Sequence, residues 1–325
     1  MNQGHIATKG LLVLPNLRIQ NANSISSPFT HGFPSMTAFM GFMWALERKL
    51  HAINIHLGLE AVGVICHSYQ EQTVGGYVDT FKLTRNPVDE KGEAAAIVEE
   101  GRIHLDITLV FSAFWKDSAS DIFLQDRQAE REAVCRKITQ CVSTMRIAGG
   151  SIVSTELTAH LLSISADPDQ RAQDFRYWRR QWLPGFALVS REDLLQVRLR
   201  KLQTDNPEAT LLDALLDLSR FNYRSKYLEN GKVKWEADRR KGTGWIVPIP
   251  IGYAGLSPLY DPGTVRNVRD SAVPFRFVES LYSIGQWISP HRLSDVDEFL
   301  WEPDPQAGEG LYLLRNYSKS ACLSD

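Results

Sequence analysis

RIHLDITLVF, residues 102–111, alternates along its length: Ile103, Leu105, Ile107, Leu109 and Phe111 fall on one side, Arg102, His104, Asp106 and Thr108 on the other. Successive side chains of an extended chain point to opposite faces, so this period of two predicts a half-buried β-strand. Val110 is the one apolar residue on the polar side. Upstream, residues 60–69 (EAVGVICHSY) and 11–19 (LLVLPNLRI) read as two more strands. Pro15 belongs at an edge or bulge, because proline donates no ladder hydrogen bond. Between them NANSISSPFTHGFP (21–34) is polar and turn-rich, and Ser35 stands where it can cap a helix. Phe39, Met40, Met43, Leu46 and Leu50 supply that helix with one apolar face. Downstream, residues 126–145 carry Val134, Ile138, Cys141, Val142 and Met145 on one side, and Gly149 and Gly150 stop the helix. A short strand at 151–154 follows.

The series is β-α-β-β-α-β, an α+β chain with the element order of a ferredoxin-like or RRM-like sandwich. That order hosts many functions and names none. Residues 75–101, between the second and third strands, are too long for a hairpin turn and contain Lys82, Thr84, Arg85 and Asn86. In the second half, DFRYWRRQW (174–182) is aromatic and basic. Arg176 and Arg180 share a helix face there, to bind phosphate or to pair with Asp174. Residues 186–190 read as a strand, 191–202 and 209–220 as helices, and 223–241 as a polar loop or hairpin. The organisation expected is a core over 1–155, a helical and basic insertion over 156–243, and a C-terminal region over 244–325 packed back on the core.

Residues 242–276 (GTGWIVPIPIGYAGLSPLYDPGTVRNVRDSAVPFR) hold five Gly and five Pro, about 29% against about 11% for the chain. Proline breaks ladders and glycine permits close approach, so no helix is expected, and strand only in short pieces such as 245–247. Trp245, Tyr253 and Tyr260 space aromatics through it, and Arg266, Asn267, Arg269 and Arg276 close it. Small residues for approach, aromatics for stacking and Arg for phosphate suit a single-stranded nucleic acid. An irregular loop packed on a core would read the same. Phe277, Leu281 and Ile284 then fit the stripe of a helix, or an apolar protein interface.

The formal charge is −2 over 325 residues, which argues against a chain coated in nucleic acid, but it is uneven. Residues 171–292 carry 20 Lys and Arg against 13 Asp and Glu; the remainder carries 16 against 25. A basic part joined to an acidic part suits RNA on one side and a protein partner on the other. Cys66, Cys135, Cys141 and Cys322 make no C-x-x-C pair, so neither a disulfide framework nor a zinc site is expected. MNQGHIATKG is not a signal peptide and no apolar run could span a bilayer; the chain reads as soluble and cytoplasmic. Walker A, G-x-G-x-x-G, H-E-x-x-H and G-x-S-x-G are all missing from the sequence. His31 (FTHGFP) and His291 (SPHR) alone sit in Gly/Pro-rich polar contexts, where each could protonate a leaving 5′-oxygen or merely order a loop. No acid, base and oxyanion set assembles, and no enzyme or cofactor is expected.

Several segments together resemble a known family. LPNLRIQNANSISSPFTHGFPS (14–35), LTRNP (83–87), AAIVEEGRIHLDITL (95–109) and MRIAGGSI (145–152) do so in the first half. LPGFALVSRE (183–192), LDALLDL (212–218), GWIVPIPIGYAGLSPLY (244–260), VRNVRD and FRFVESLYSIGQWISPHR (275–292) continue it in order. They are similar to the 5′-handle-binding subunit of the type I-F CRISPR surveillance (Csy, Cascade-like) complex, of the RAMP superfamily. Residues 155–182, 223–241 and the tail from Glu302 match poorly.

The resemblance implies an RRM-like RAMP core and a non-catalytic role: binding the 5′ handle of a crRNA. It also implies pairing with the large DNA-inspecting subunit, near the target duplex, and contact with an adjacent backbone subunit. Some RAMP relatives cut repeat RNA, which makes a metal-independent endoribonuclease the alternative. RNA-binding candidates on the first half are Asn21, Asn23, Ser26 and Ser27, whose amides and hydroxyls suit base edges and 2′-hydroxyls, with His31, Arg85, Asn86 and Arg146. A loop ordered by its own Asn and Ser side chains is the competing reading. On the second half they are Trp245 and Tyr253, the phosphate-holding group Arg266, Asn267, Arg269 and Arg276, and then His291 and Arg292. Asp261 and Asp270 are the competing salt-bridge partners of those arginines.

Overall fold

The computed structural model describes residues 9–85, 88, 91–94, 97–117, 121–124, 127–220, 223–228, 230–237 and 244–316. Among these, eleven strands form one sheet, and five α-helices accompany it. The first half contains β1 (Lys9–Asn23), α1 (Met36–Ala52), β2 (Leu57–Glu71), β3 (Arg102–Trp115), α2 (Gln128–Ser143), β4 (Arg146–Ile147) and β5 (Gly150–Ile152). The strands lie side by side as β5–β1–β3–β2, every neighbour antiparallel. The chain is α+β, with the elements in the order expected. Each of the three long strands outruns its apolar stretch, because polar residues such as Gln20 and Gln70 continue the ladder. Pro15 sits in an irregularity where the β1–β3 register shifts between Leu14 and Leu17, and Asn16 there has φ 49°.

The sheet has two cores. On one face Ile103, Leu105, Ile107, Leu109 and Phe111 are buried with Phe39, Met40, Met43, Leu46 and Leu50 of α1 and Ile138 and Val142 of α2. On the other, Leu11, Val13, Ala61, Ile65 and Val110 are buried with Phe175, Trp178 and Trp182 at α3 (Pro168–Gln181). The apolar exception in the alternating strand therefore marks a second hydrophobic layer. Ser35 is the residue before α1, but its hydroxyl meets Thr37 at 2.6 Å rather than a backbone amide.

The remaining strands are β6 (His160–Ser163), β7 (Phe186–Ser190), β8 (Trp245–Gly255), β9 (Val278–Ile288), β10 (Trp301–Pro303) and β11 (Leu311–Asn316). β6 pairs with β1. The others continue from β2 in the order β7–β9–β8–β11–β10, and β10 pairs back onto β2 at Trp301 and Val62. Six strands thus close into a ring, although β8 and β11 pair over only three residues, 252–254 of β8.

β8 corrects the expectation that 245–255 forms strand only in short pieces. Pro248 and Pro250 lie opposite Ile284 and Tyr282 of β9. Two residues apart, they turn their missing donors to one side, where β11 pairs only with residues 252–254. Prolines on that unpaired edge cost the ladder nothing. β9 corrects the helical reading of Phe277, Leu281 and Ile284: it is a strand, so Leu281 and Ile284, three apart, face opposite ways. Ile284 is buried with Ile246, Leu195 and Ala214 beneath α4 (Glu192–Asp205) and α5 (Leu211–Ser219). Residues 223–237 are the hairpin Tyr223–Tyr227 with Val233–Ala237. The insertion after β2 contains two short ribbons, Thr73–Val74 with Thr80–Phe81 and Leu83–Arg85 with Ile97–Glu99.

Candidate nucleic-acid interface

The loop after β1 is held by its own polar side chains. Asn23 Oδ1 accepts from Ile25 N at 3.1 Å and its Nδ2 donates to Ile25 O at 2.8 Å. Ser27 Oγ accepts from Phe29 N and Thr30 N and lies 2.6 Å from Thr30 Oγ1, which Ser26 Oγ also meets at 3.0 Å. These are the turn-forming bonds that Asn and Ser favour. Ser27 is buried, whereas Asn21 and Asn23 are exposed. Asn21, at φ 56°, donates its backbone N–H to His104 Nδ1 at 3.1 Å.

Two clefts flank this loop and share Ser26, Pro34 and Ser35. The larger, about 510 Å³, lies among the loop, the end of β2 and the start of β8. Met36, Ile249 and Trp287 give it an apolar floor, and Trp245 (47% exposed), Tyr69 (53%) and Phe186 (46%) stand half-exposed along it. His31, His67 and Glu71 add polar groups. His31 Nδ1 donates to the Glu71 carboxylate at 3.1 and 3.3 Å. His67 is fixed at both nitrogens: Nδ1 donates to Pro184 O at 2.7 Å, and Nε2 lies 2.8 Å from Thr108 Oγ1. Thr108 Oγ1 in turn accepts from Asn16 N at 3.3 Å, so one chain of bonds ties the β1 irregularity, β3, β2 and the turn before β7. Cys66 also borders this cleft, and burial, followed by the charge of Asp106, pushes its thiol up to about 12.

The smaller cleft, about 310 Å³, is bordered by Asn23, Thr37, Trp44, Tyr253 and Tyr312. Tyr253 stacks on Tyr312 (6.5 Å between centroids, 16° between planes), and its hydroxyl meets Thr37 Oγ1 at 3.2 Å. Burial and then the neighbouring Tyr253 push the Tyr312 phenol up to about 12. Among the described residues no Lys or Arg borders either cleft. Either can take an uncharged planar group against aromatic side chains; neither has a cation to hold a phosphate.

The sequence candidates are thus only partly gathered. Ser26, His31 and Trp245 meet at the larger cleft, and Asn23, Ser26 and Tyr253 at the smaller. Arg146 is exposed on β4, beside the turn whose Ala148 O accepts from Asn23 N at 2.9 Å. Arg266, Asn267 and Arg269 are exposed on the loop between β8 and β9, bordering neither cleft. Among the described residues neither arginine forms an ion pair; Asp270 accepts instead from Ala272 N at 2.9 Å. Arg276 lies against Gly255 and Gly310, and its buried Nε has no hydrogen-bond partner. His291 Nδ1 meets Ser289 Oγ at 2.8 Å, and Arg292 beside it is exposed. Arg85 ends a short strand, while Asn86 and Cys322 lie outside the described residues. Tyr69, Glu71, Phe186 and Trp287 were missed: Glu71 falls beyond the apolar run that marked β2, and Phe186 and Trp287 are brought in by long-range pairing, β7 beside β2 at Phe186 and Cys66, and β9 beside β7 at Trp287 and Leu188.

Among the described residues no group of three His, Cys, Asp or Glu is placed to hold a metal ion, and no helix is long and apolar enough to cross a membrane. A family described as CRISPR-associated protein (Cas_Csy2) matches residues 12–314. CRISPR-associated protein Csy2 of Pseudomonas aeruginosa (strain UCBPP-PA14) is 43% identical over 319 residues, covering 94% of each chain. A match over nearly the whole length, at that identity, extends across both the sandwich and the ring, and the chain therefore belongs to the Csy2 family of CRISPR-associated proteins, the type I-F family that its sequence resembles.

Proposed function

We propose that this chain is a non-catalytic RNA-binding subunit of a type I-F CRISPR effector complex, holding the 5′ handle of a crRNA and pairing with the large DNA-inspecting subunit. The observation that carries this reading is the pair of aromatic clefts on either side of the 24–35 loop. Single-stranded RNA is recognised through unstacked bases that lie on aromatic faces and meet polar groups at their edges. The clefts offer that combination with no Lys or Arg among the described residues that border them, so the phosphates stay outside. Arg266 and Arg269, exposed and unpaired among the described residues, are suited to neutralise phosphate along the strand's path.

The endoribonuclease alternative needs a base for the 2′-hydroxyl and an acid for the 5′-oxygen in line around one phosphate. His31 is engaged with Glu71 and His291 with Ser289, and His291 does not border the cleft that His31 lines. The test is to incubate the chain with end-labelled CRISPR repeat RNA in EDTA, with and without the large subunit. RNA retained whole, with longer residence when the large subunit is present, is the expected result. Cutting at a single bond, abolished in His31→Ala or His291→Ala, would replace this proposal with the endonuclease.

A further inference from the structure

We infer that the larger cleft is a guanine site, with the Glu71 carboxylate accepting from the N1–H and N2 amino group of one unstacked base. This rests on the RNA-binding reading above. Glu71 is only 19% exposed in its side chain, and among the described residues its carboxylate is met by His31 alone, which approaches both oxygens from a single ring nitrogen. A carboxylate can accept about four hydrogen bonds, so Glu71 retains unused capacity beside an apolar floor where acceptors need donors. Guanine alone among the four RNA bases carries two adjacent donors on its Watson–Crick edge. Adenine and cytosine place a ring acceptor next to their amino group, which would face the carboxylate's negative charge. Uracil has one N–H between two carbonyls. Glu71 therefore selects by attraction to one base and repulsion of the others.

The walls fit the same ligand. Trp245, Tyr69 and Phe186 keep half their surface exposed around a cleft of about 510 Å³, enough for a purine with room to spare. Exposed rings beside an apolar floor are costly in water and are covered when a flat base enters. Among the described residues the lining has no Lys or Arg, so the site takes the base and leaves the charged backbone at the mouth.

The experiment uses the full chain and eight-nucleotide oligouridines with a single guanine at each position in turn, and the same set with inosine, which lacks the N2 amino group. Fluorescence anisotropy should show one position at which guanine binds about tenfold or more tighter than inosine, as for a lost hydrogen bond to a charged group. Glu71→Gln, nearly isosteric, should bring that ratio down to about twofold with an unchanged melting temperature. Equal affinity for all these RNAs would overturn the guanine site while leaving the RNA-binding reading intact. No binding to any RNA, alone or with the large subunit, would remove both. Unaltered RNA affinity in Glu71→Gln and Phe186→Ala, with loss of association to the large subunit, would mean that a protein side chain fills the cleft, and would also overturn the inference.

Discussion

At the scale of single residues, what a side chain already does limits what it can still bind. Arg171, Arg191 and Arg198 lie in the basic stretch, but they pair with Asp295 and Asp297, with Asp193, and with Asp217. Charge counted along the sequence could not separate these from Arg266 and Arg269, because their partners lie up to 126 residues away. Arg266→Ala or Arg269→Ala is expected to flatten the slope of log affinity against log salt by about one unit or less, with an unchanged melting temperature. Lost stability with the slope intact would show instead that the arginine is structural. Cys66 makes a second prediction. Its thiol is held at about 12 against about 9 when free, so its neutral form is favoured in the fold. Stability from this group is complete below pH 9 and declines as pH rises above 9, where only the unfolded thiol ionises. Iodoacetamide at pH 8 should leave Cys66 unmodified in the native chain and alkylate it in denaturant; rapid native labelling, read by peptide mass, would contradict its burial.

At the scale of elements, legibility followed the strength of the period. β3 and α1 were readable because five apolar residues repeat at the right spacing in each. β8 was not, since Pro248 and Pro250 obscure a strand whose outer edge is unpaired at that point. β10 has three residues and no period to detect. The junction of β8 with β11 yields a prediction. A Cβ on Gly252 would stand 1.9 Å from the Tyr312 carbonyl oxygen, a backbone atom of the paired strand, beside the register shift between Pro250 and Gly252. Gly252→Ala should therefore destabilise the chain by about 2–4 kcal/mol, measured by urea unfolding. A midpoint equal to that of the parent would mean the strands are not in this register.

At the scale of the whole molecule, the strand sequence β2–β7–β9–β8 assembles the larger cleft: β8 and β7 bring Trp245 and Phe186 to a loop formed more than 150 residues earlier. The α+β order of the first half could be traced in the sequence, but the ring could not, because it depends on long-range pairings and closes through the three-residue β10. Trp301 is at the closure, fully buried, and its Nε1 donates to Leu188 O at 2.9 Å. Trp301→Phe leaves that carbonyl without its donor and opens a cavity, at a cost of about 2–4 kcal/mol in urea unfolding. Little change would argue against closure at this strand. The central claim, that RNA lies across the 24–35 loop and its two clefts, is tested most directly by photo-crosslinking. The chain, assembled with the large subunit on 4-thiouridine-substituted repeat RNA, is irradiated and digested, and the linked peptides are identified by mass. Crosslinks concentrated in residues 21–36 and 245–253 are the predicted result; crosslinks confined to α2, α4 and α5, or none at all, would contradict it.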